Sequence, residues 1–163
     1  MIGFCGSRSL PGAYARVVSP LVAALAGPGP IAVGDAAGAD ALVRACSPSA
    51  LVFRAGGWSA GALVARSCAL VGALAASSSP VFVGFVEVGC PAGIAPGPSW
   101  RSGRPTSGSW SSLALAAGRG VRVGVVFCAP LLSPPAAWGD WSRQMVAGVP
   151  VWWLEPMVQP SLF

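Results

Sequence analysis

The sequence predicts an α/β fold with a mostly parallel sheet flanked by helices, in a doubly wound arrangement. Short apolar runs alternate with segments of helical periodicity along most of the chain. The run Val81–Val88 is almost continuously apolar, which is typical of a strand buried on both faces of a parallel sheet. The length of 163 residues fits a single domain.

The N-terminal half contains three predicted strands and two predicted helices. Met1–Cys5 is an apolar strand that ends at a Gly-Ser-Arg turn. A helix follows over Pro11–Leu25, and Pro20 predicts a kink or a division into two parts. The remaining elements of this half are a strand over residues 31–33, a turn over 35–40, a helix over 41–46 and a strand over 51–53.

The rest of the chain begins with the longest predicted helix, which starts at Ser59 or Gly61 and ends near Ala76. Cys90–Ser109 is rich in Pro, Gly and Ser and has no periodicity, which is typical of a functional or mobile loop. The other elements are the strand over 81–88, a helix over 111–117, a strand over 121–127, a Pro-rich connection from 133 and a last strand over 149–154. We expect one domain over 1–163, with its core over about 1–127 and a C-terminal extension over 128–163.

The composition excludes several kinds of active site. Only 9% of the residues are charged, against about 25% in typical globular chains. Lysine and histidine are absent, which excludes a Walker-type lysine, a Schiff base, histidine-dependent nucleophiles and histidine metal ligands. The net charge of +5 is compatible with an anionic ligand. The only side-chain carboxylates are Asp35, Asp40, Glu87, Asp140 and Glu155.

The cysteines and the apolar stretches indicate the cellular environment of the protein. Five cysteines without a CxxC spacing predict buried thiols in a reducing cytosol and no metal site. The longest apolar stretch, 63–88, carries Arg66 and is interrupted by Ser77–Pro80, so we expect no membrane span. No basic region precedes the first apolar run, so we expect no signal peptide and a cytoplasmic location. The few charges favour a homo-oligomer.

A phosphate-binding loop is predicted where the first strand ends. Gly6 allows close approach to the backbone, Ser7 and Ser9 offer hydroxyl groups, and Arg8 offers a cationic fork. Free amides at the start of the following helix add a partial positive charge. Gly-Ser turns also occur as simple structural punctuation, so a purely structural turn is the alternative.

A second turn of small residues follows the second strand. Gly34 and Gly38 permit a tight turn against a ligand or another part of the backbone. Asp40 stands where the N-cap of the next helix is expected, and capping is its simplest role. Since carboxyl ends of parallel strands meet at one edge of the sheet, we expect both turns and the loop over 90–112 to form the site there.

These two turns together resemble the SLOG superfamily, which comprises Smf/DprA-like and YspA-like proteins with the LOG phosphoribohydrolases as relatives. Trp58, followed by a helix that carries Arg66, is similar to the YspA-like pattern. The resemblance covers about residues 1–127. It implies a Rossmann-like fold that binds nucleotides, nucleotide-derived signals or, in the DprA branch, single-stranded DNA. The ligand contacts that it implies are Gly6, Ser7, Arg8, Gly34, Gly38, Asp40 and Arg66.

The fourth element of the family departs from its pattern in this chain. LOG enzymes carry a PGGxGTxxE loop whose Glu is catalytic. The matching segment, Ser107–Ser112, keeps the small residues, but no acid follows in 113–117. The candidate ligand contacts in this segment are Gly108, Ser109, Trp110 and Ser111.

The sequence therefore predicts a module that binds or senses a phosphate-bearing nucleotide, with Trp100 or Trp110 near the base and no bound cofactor or metal. Two alternatives remain open. The first is a hydrolase that acts on nucleotides and uses Glu87 or Asp35 as its base. The second is binding of single-stranded DNA, which would require a stripe of basic residues.

Overall fold

The computed structural model describes residues 1–27, 29–103 and 105–156. It has a seven-stranded, mostly parallel sheet flanked by four α-helices, which confirms the α/β class. The strands are β1 (Ile2–Gly6), β2 (Ile31–Gly34), β3 (Leu51–Phe53), β4 (Val81–Val86), β5 (Arg122–Phe127), β6 (Trp141–Val146) and β7 (Val149–Leu154). The helices are α1 (Ala15–Ala26), α2 (Ala39–Cys46), α3 (Ala60–Ala75) and α4 (Gly108–Gly118).

The strand order across the sheet is β3-β2-β1-β4-β5-β7-β6. The first five strands in this order are parallel, and Ile2 of β1 pairs with Ile31 on one side and Val81 on the other. The chain moves outward from β1 to β3 and then returns to β4 on the opposite side of β1. A crevice forms at the carboxyl ends of the strands where the order reverses in this way.

Apolar side chains cover both faces of the sheet. Along β4, Phe82 belongs to a cluster with α3 and α4, whereas Val83 and Phe85 belong to a cluster with α1 and α2. All three side chains are 1% exposed or less. The continuous apolar run in β4 thus reflects burial on both faces, as predicted.

Helix α1 is a single helix that contains Pro20. A short 3-10 turn, Gly12–Tyr14, precedes it, so the α-helix starts later than predicted. Proline has no backbone N–H, so one carbonyl of the preceding turn lacks its intrahelical hydrogen bond. Pro20 is exposed, and water can therefore solvate this carbonyl. Within the residues that the structure describes, no helix is both long and apolar enough to cross a membrane.

The C-terminal extension contains a hairpin of which only the second strand was predicted. Strands β6 and β7 are antiparallel, and β7 also pairs antiparallel with β5. The turn residues Ala147 and Gly148 have φ of 49° and 77°, as a two-residue hairpin turn requires. The middle of β6 is exposed, so its sequence lacks the apolar pattern of a core strand. The end of the predicted extension, residues 157–163, lies outside the described residues.

Candidate functional site

A cavity of about 600 Å³ lies at the carboxyl ends of β1 and β2. Its walls come from the loop after β1, the turn after β2, the side of α3 and the first turn of α4. Ten of the twelve predicted ligand-contact residues line it, all except Gly38 and Trp110. The volume is in the range of about 300–1,000 Å³ that is usual for small-molecule sites.

The loop after β1 carries a chain of hydrogen bonds that ends at a carboxylate. The Ser9 hydroxyl donates to Glu87 Oε2 at 2.7 Å, and the Ser7 and Ser9 hydroxyl oxygens are 2.8 Å apart. Because Ser9 has one hydroxyl hydrogen, Ser7 is the donor to Ser9. Hydrogen bonding by the Ser7 and Ser9 hydroxyls lowers the pKa of Glu87 from its ordinary value. The Ser7 hydrogen is thus used by Ser9 and the Ser9 hydrogen by Glu87, which makes Ser7 and Ser9 weaker anion ligands than the sequence predicted.

Arg8 in the same loop is exposed and lines the cavity. Within residues 1–27, 29–103 and 105–156, its guanidinium makes no hydrogen bond or ion pair. This cation therefore remains available to an anionic ligand at the cavity mouth.

The turn after β2 packs directly against the loop after β1. The Ala39 amide donates to the Ser7 carbonyl at 3.0 Å, and Gly38 has φ of 64°. A Cβ at position 38 would overlap the Ser7 carbonyl oxygen and lie 2.6 Å from the Arg8 carbonyl carbon. Gly38 therefore allows the two turns to pack against each other, which is one of the two roles expected from its sequence position. It does not line the cavity.

Asp40 does not cap helix α2, and that prediction is wrong. The N-cap is Gly38, and Asp40 is the second helical residue. Its Oδ2 accepts a hydrogen bond from the Ala36 amide at 3.3 Å, which closes the turn from inside the helix. Asp40 is only 4% exposed, and this burial raises the pKa of its carboxyl to about 6.

Arg66 reaches from α3 to the same turn. Its Nη1 lies 2.8 Å from Asp35 Oδ1 and 3.9 Å from Asp40 Oδ2. The Arg66 hydrogen bond lowers the pKa of Asp35 from its ordinary value, and the Ala55 amide also donates to Asp35, at 2.9 Å. A Cβ at Gly34 would overlap Asp40 Oδ2 and lie 3.2 Å from Arg66 Cζ, so only glycine leaves room for this contact. The charge of Arg66 is therefore compensated within the protein.

The first turn of α4 offers several groups without partners. The Ser107 hydroxyl caps the helix by accepting from the Trp110 amide at 3.4 Å. In the part of the chain that the structure describes, the Gly108 and Ser109 amides have no acceptor. Ser111 is 1% exposed, lines the cavity and has a hydroxyl with no hydrogen-bond partner. This combination of a helix N-terminus and unpartnered donors favours an anion.

Trp110 is a core residue in the structure. It is fully buried, its indole donates to the Val88 carbonyl at 3.0 Å, and it packs edge-on against Trp138 at 5.6 Å. Its ring is thus not available for stacking on a ligand in the cavity. The sequence alone could not distinguish a buried Trp110 from one that stacks on a ligand, because Trp110 directly follows Ser109, which lines the cavity.

Trp100 lines the cavity and is half-buried. The segment that carries it is attached to the core: the Trp138 indole donates to the Ile94 carbonyl at 3.0 Å, and Arg119 Nε donates to the Pro98 carbonyl at 3.2 Å. The long loop therefore holds Trp100 at one wall of the cavity through contacts with elements that follow it in the chain.

The two carboxyl groups considered as catalytic bases are already bonded. Glu87 accepts from Ser9, and Asp35 is paired with Arg66. Lowered pKa values make both groups weak bases near neutral pH. Asp40 has the carboxyl whose pKa approaches neutrality. No sequence pattern indicates this, because its burial arises only when α2, α3 and the turn after β2 come together.

We compared the chain with models of protein families, with curated proteins and with solved structures, and none of them matches it. What can be inferred about its function therefore comes from the chemistry of the cavity and from the motifs that line it.

Proposed function

We propose that the chain is a Rossmann-like, doubly wound domain of SLOG type that binds a nucleotide in this cavity, with the nucleotide phosphate at the N-terminus of α4. The reversal of strand order between β1 and β4 and the helices against both faces of the sheet support the doubly wound arrangement. The SLOG-like motifs support the ligand class, since most of their residues line this one cavity.

The observation that carries the proposal is the unpartnered hydroxyl of Ser111 at the first turn of α4. A buried hydroxyl without a partner destabilises a protein by about 1–3 kcal/mol. A phosphate oxygen would accept from the amides of Gly108 and Ser109, which have no acceptor among the described residues, while the helix N-terminus attracts its charge. The Ser111 hydroxyl is sealed from solvent in the ligand-free protein and would donate to the phosphate after a small shift of the first turn of α4. Arg8, which lines the same cavity, would complete the charge balance.

The remaining volume suits a nucleoside. Leu63, Val64 and Leu70 of α3 form an apolar wall, and Trp100 supplies an aromatic face. An apolar cavity with a few well-placed polar groups is the usual form of a small-molecule site. Trp100 is the aromatic residue that we assign to stacking on the base.

Binding is favoured over the two alternatives. Glu87 and Asp35 are weak bases in their present bonding, and the positive charge of Arg66 is compensated by Asp35. We therefore propose a binding or sensing module rather than a hydrolase or a DNA-binding protein.

The experiment is isothermal titration with the four common ribonucleoside 5′-monophosphates and with the parent nucleosides, which lack the phosphate. At least one nucleotide is expected to bind well and its nucleoside much more weakly. Ser111→Ala should weaken nucleotide binding by about tenfold or more, since a hydrogen bond to a charged group contributes about 1.5–3 kcal/mol. The same variant should leave nucleoside binding unchanged.

A structural role of Ser111 is tested by the stability of the ligand-free variant. Its hydroxyl has no partner to lose, so Ser111→Ala should unfold at the same or a higher denaturant concentration than the wild type. Ser77→Ala is the matched control, because the Ser77 hydroxyl donates to the Leu74 carbonyl at 2.8 Å and lies outside the cavity. Equal nucleotide affinity of Ser111→Ala and wild type, or no binding of any nucleotide, would refute the proposal.

A further inference from the structure

We propose that Asp40 and Arg66 together bind the vicinal hydroxyl groups of the ligand's ribose, so that the site selects ribonucleotides over deoxyribonucleotides. The inference rests on the proposed function and assigns the polar groups of the cavity that the phosphate does not use. Both side chains line the cavity, and neither belongs to the first turn of α4.

Asp40 offers a hydrogen-bond acceptor to the cavity. Its Oδ2 accepts from the Ala36 amide, and within the described ranges no donor bonds Oδ1. The fully buried side-chain atoms without partners in these ranges are Ser111 Oγ and Trp153 Nε1, so Oδ1 is not sealed inside the protein. A carboxylate oxygen without a partner in an enclosed site requires a hydrogen-bond donor. A hydroxyl group of the ligand is an uncharged donor of this kind.

Arg66 offers donors beside this acceptor. Of its guanidinium nitrogens, Nη1 binds Asp35, and in the part of the chain described by the structure Nε and Nη2 make no hydrogen bond. Nη1 also lies 3.9 Å from Asp40 Oδ2. An acceptor and a planar donor side by side match a vicinal diol, since each hydroxyl group donates one hydrogen bond and accepts another.

The charge of this end of the cavity excludes a second phosphate. Asp35 and Asp40 carry two carboxyl groups here, and Arg66 is bound to Asp35. Arg44 is bound to the carbonyl oxygens of Gly34 and Ala36 and does not line the cavity. An anion placed beside Arg66 would meet both carboxylates at close range, and like charges at such distances repel strongly. A neutral, hydroxyl-bearing part of the ligand fits this environment.

The position of Asp40 in the fold favours the sugar over the base. Its neighbour Ala39 donates to the Ser7 carbonyl, so Asp40 lies beside the loop that carries Arg8, the cation assigned to the phosphate. In a nucleotide, the sugar is the part adjacent to the phosphate. The apolar wall of Leu63 and Val64 and the ring of Trp100 remain for the base.

The test compares matched pairs of ligands that differ by one hydroxyl group. AMP, GMP, CMP and UMP are titrated beside their 2′-deoxy counterparts, into the wild type and into Asp40→Asn. The asparagine keeps the size of the side chain and can still accept from the Ala36 amide. Asp140→Asn, in an exposed position outside the cavity, is the control.

For the nucleotides that bind, the wild type and Asp140→Asn should favour the ribo form by about tenfold or more. Asp40→Asn should reduce this preference to near unity, mainly by weakening binding of the ribo form. Equal affinity for ribo and deoxy forms in the wild type would overturn the inference and leave the proposed function intact. Equal weakening of both forms by Asp40→Asn would overturn it too, because the carboxyl would then contact the base or shape the cavity. No binding of any of the eight nucleotides would overturn the proposed function as well.

Discussion

Asp40 and Asp35 belong to the same turn of the chain and have opposite environments. Asp35 is held by Arg66 and the Ala55 amide, which lowers its pKa. Asp40 is buried behind the turn, 3.9 Å from the same guanidinium, and burial raises its pKa. A group with a raised pKa binds its proton more tightly in the folded than in the unfolded state, which links Asp40 to the pH dependence of stability.

The wild type should lose stability relative to Asp40→Asn as the pH rises through the window from about 4 to 6. Burial raises the pKa of Asp40 from 3.8 to about 6, so the folded protein binds more protons than the unfolded chain in that window. The free energy of unfolding therefore falls with rising pH, and this contribution amounts to roughly 3 kcal/mol above pH 6.

Urea unfolding of both proteins at pH 4 and pH 7.5 measures this effect. The free energy of unfolding of Asp40→Asn minus that of the wild type should be larger at pH 7.5 than at pH 4 by roughly 2 kcal/mol, since part of the effect is already lost at pH 4. The difference between variants removes the opposite contributions of Asp35 and Glu87, whose pKa values are lowered. A difference that is independent of pH would mean that Asp40 ionises in the folded state as it does in the unfolded chain.

At the scale of elements, the long connection between β4 and α4 is ordered by residues that follow it in the chain. Trp138, in a short 3-10 turn after β5, is 4% exposed and donates to the Ile94 carbonyl. Ile94 is itself 5% exposed, so its carbonyl cannot be solvated without movement of the segment. Composition predicted a functional or mobile loop here, and the structure shows its attachment to the core at this point.

Trp138→Phe should loosen the segment over residues 90–103 while keeping the aromatic packing on Trp110. The variant leaves the buried Ile94 carbonyl with only the weak Cys90 thiol as a donor, at 3.9 Å, and loss of the indole donor costs about 1–3 kcal/mol. Amide hydrogen exchange measured by mass spectrometry should show faster exchange in peptides from this segment.

The matched control is Trp141→Phe. The Trp141 indole donates to the Pro135 carbonyl at the same distance of 3.0 Å, but it makes no hydrogen bond to the segment. Exchange over 90–103 should be unchanged in this variant. If both variants accelerate exchange there equally, the segment is held by the general stability of the tryptophan cluster and not by the Ile94 hydrogen bond.

At the scale of the whole molecule, the five cysteines are distributed over the structure as free thiols. All five are partly buried, which corrects the expectation of full burial from their apolar sequence surroundings. Burial raises the pKa of Cys90 to about 11 and of Cys128 to about 12, and it also raises the pKa of Cys5 well above its ordinary value. The homo-oligomer and the cytoplasmic location expected from composition stay predictions.

Cys5, Cys90 and Cys128 should react slowly with a disulfide reagent in the folded protein at pH 8. The thiolate is the reactive form, and a pKa of about 11 leaves roughly one thiol in a thousand ionised at that pH. All five thiols should react rapidly in denaturant. Mass spectrometry of the labelled peptides identifies the sites, and labelling of these three at the denatured rate in native buffer would contradict the burial seen here.

The sequence by itself determined the succession of elements, apart from β6, and the edge of the sheet at which the site lies. The strands that end at Gly6 and Gly34 were predictable because their apolar runs stop at small residues. The position of the site followed because parallel strands bring their carboxyl ends to one edge of the sheet. The strand β6 was not readable, since it is an edge strand with an exposed middle. The sequence feature that could have indicated this hairpin is the Ala147-Gly148 turn, which is a weaker hairpin signal than Asn-Gly.

Only the tertiary structure decided what the site residues do. The roles of Gly38, Asp40, Arg66 and Trp110 depend on contacts with residues that are distant in the chain or on opposite sides of a turn, such as Asp35 with Arg66 and Trp110 with Trp138. Residue types and spacing report local propensity and burial pattern. Desolvation, charge compensation and the lack of a partner for Ser111 arise only when separate elements pack together, which is why the residues of the site were predictable and their chemistry was not.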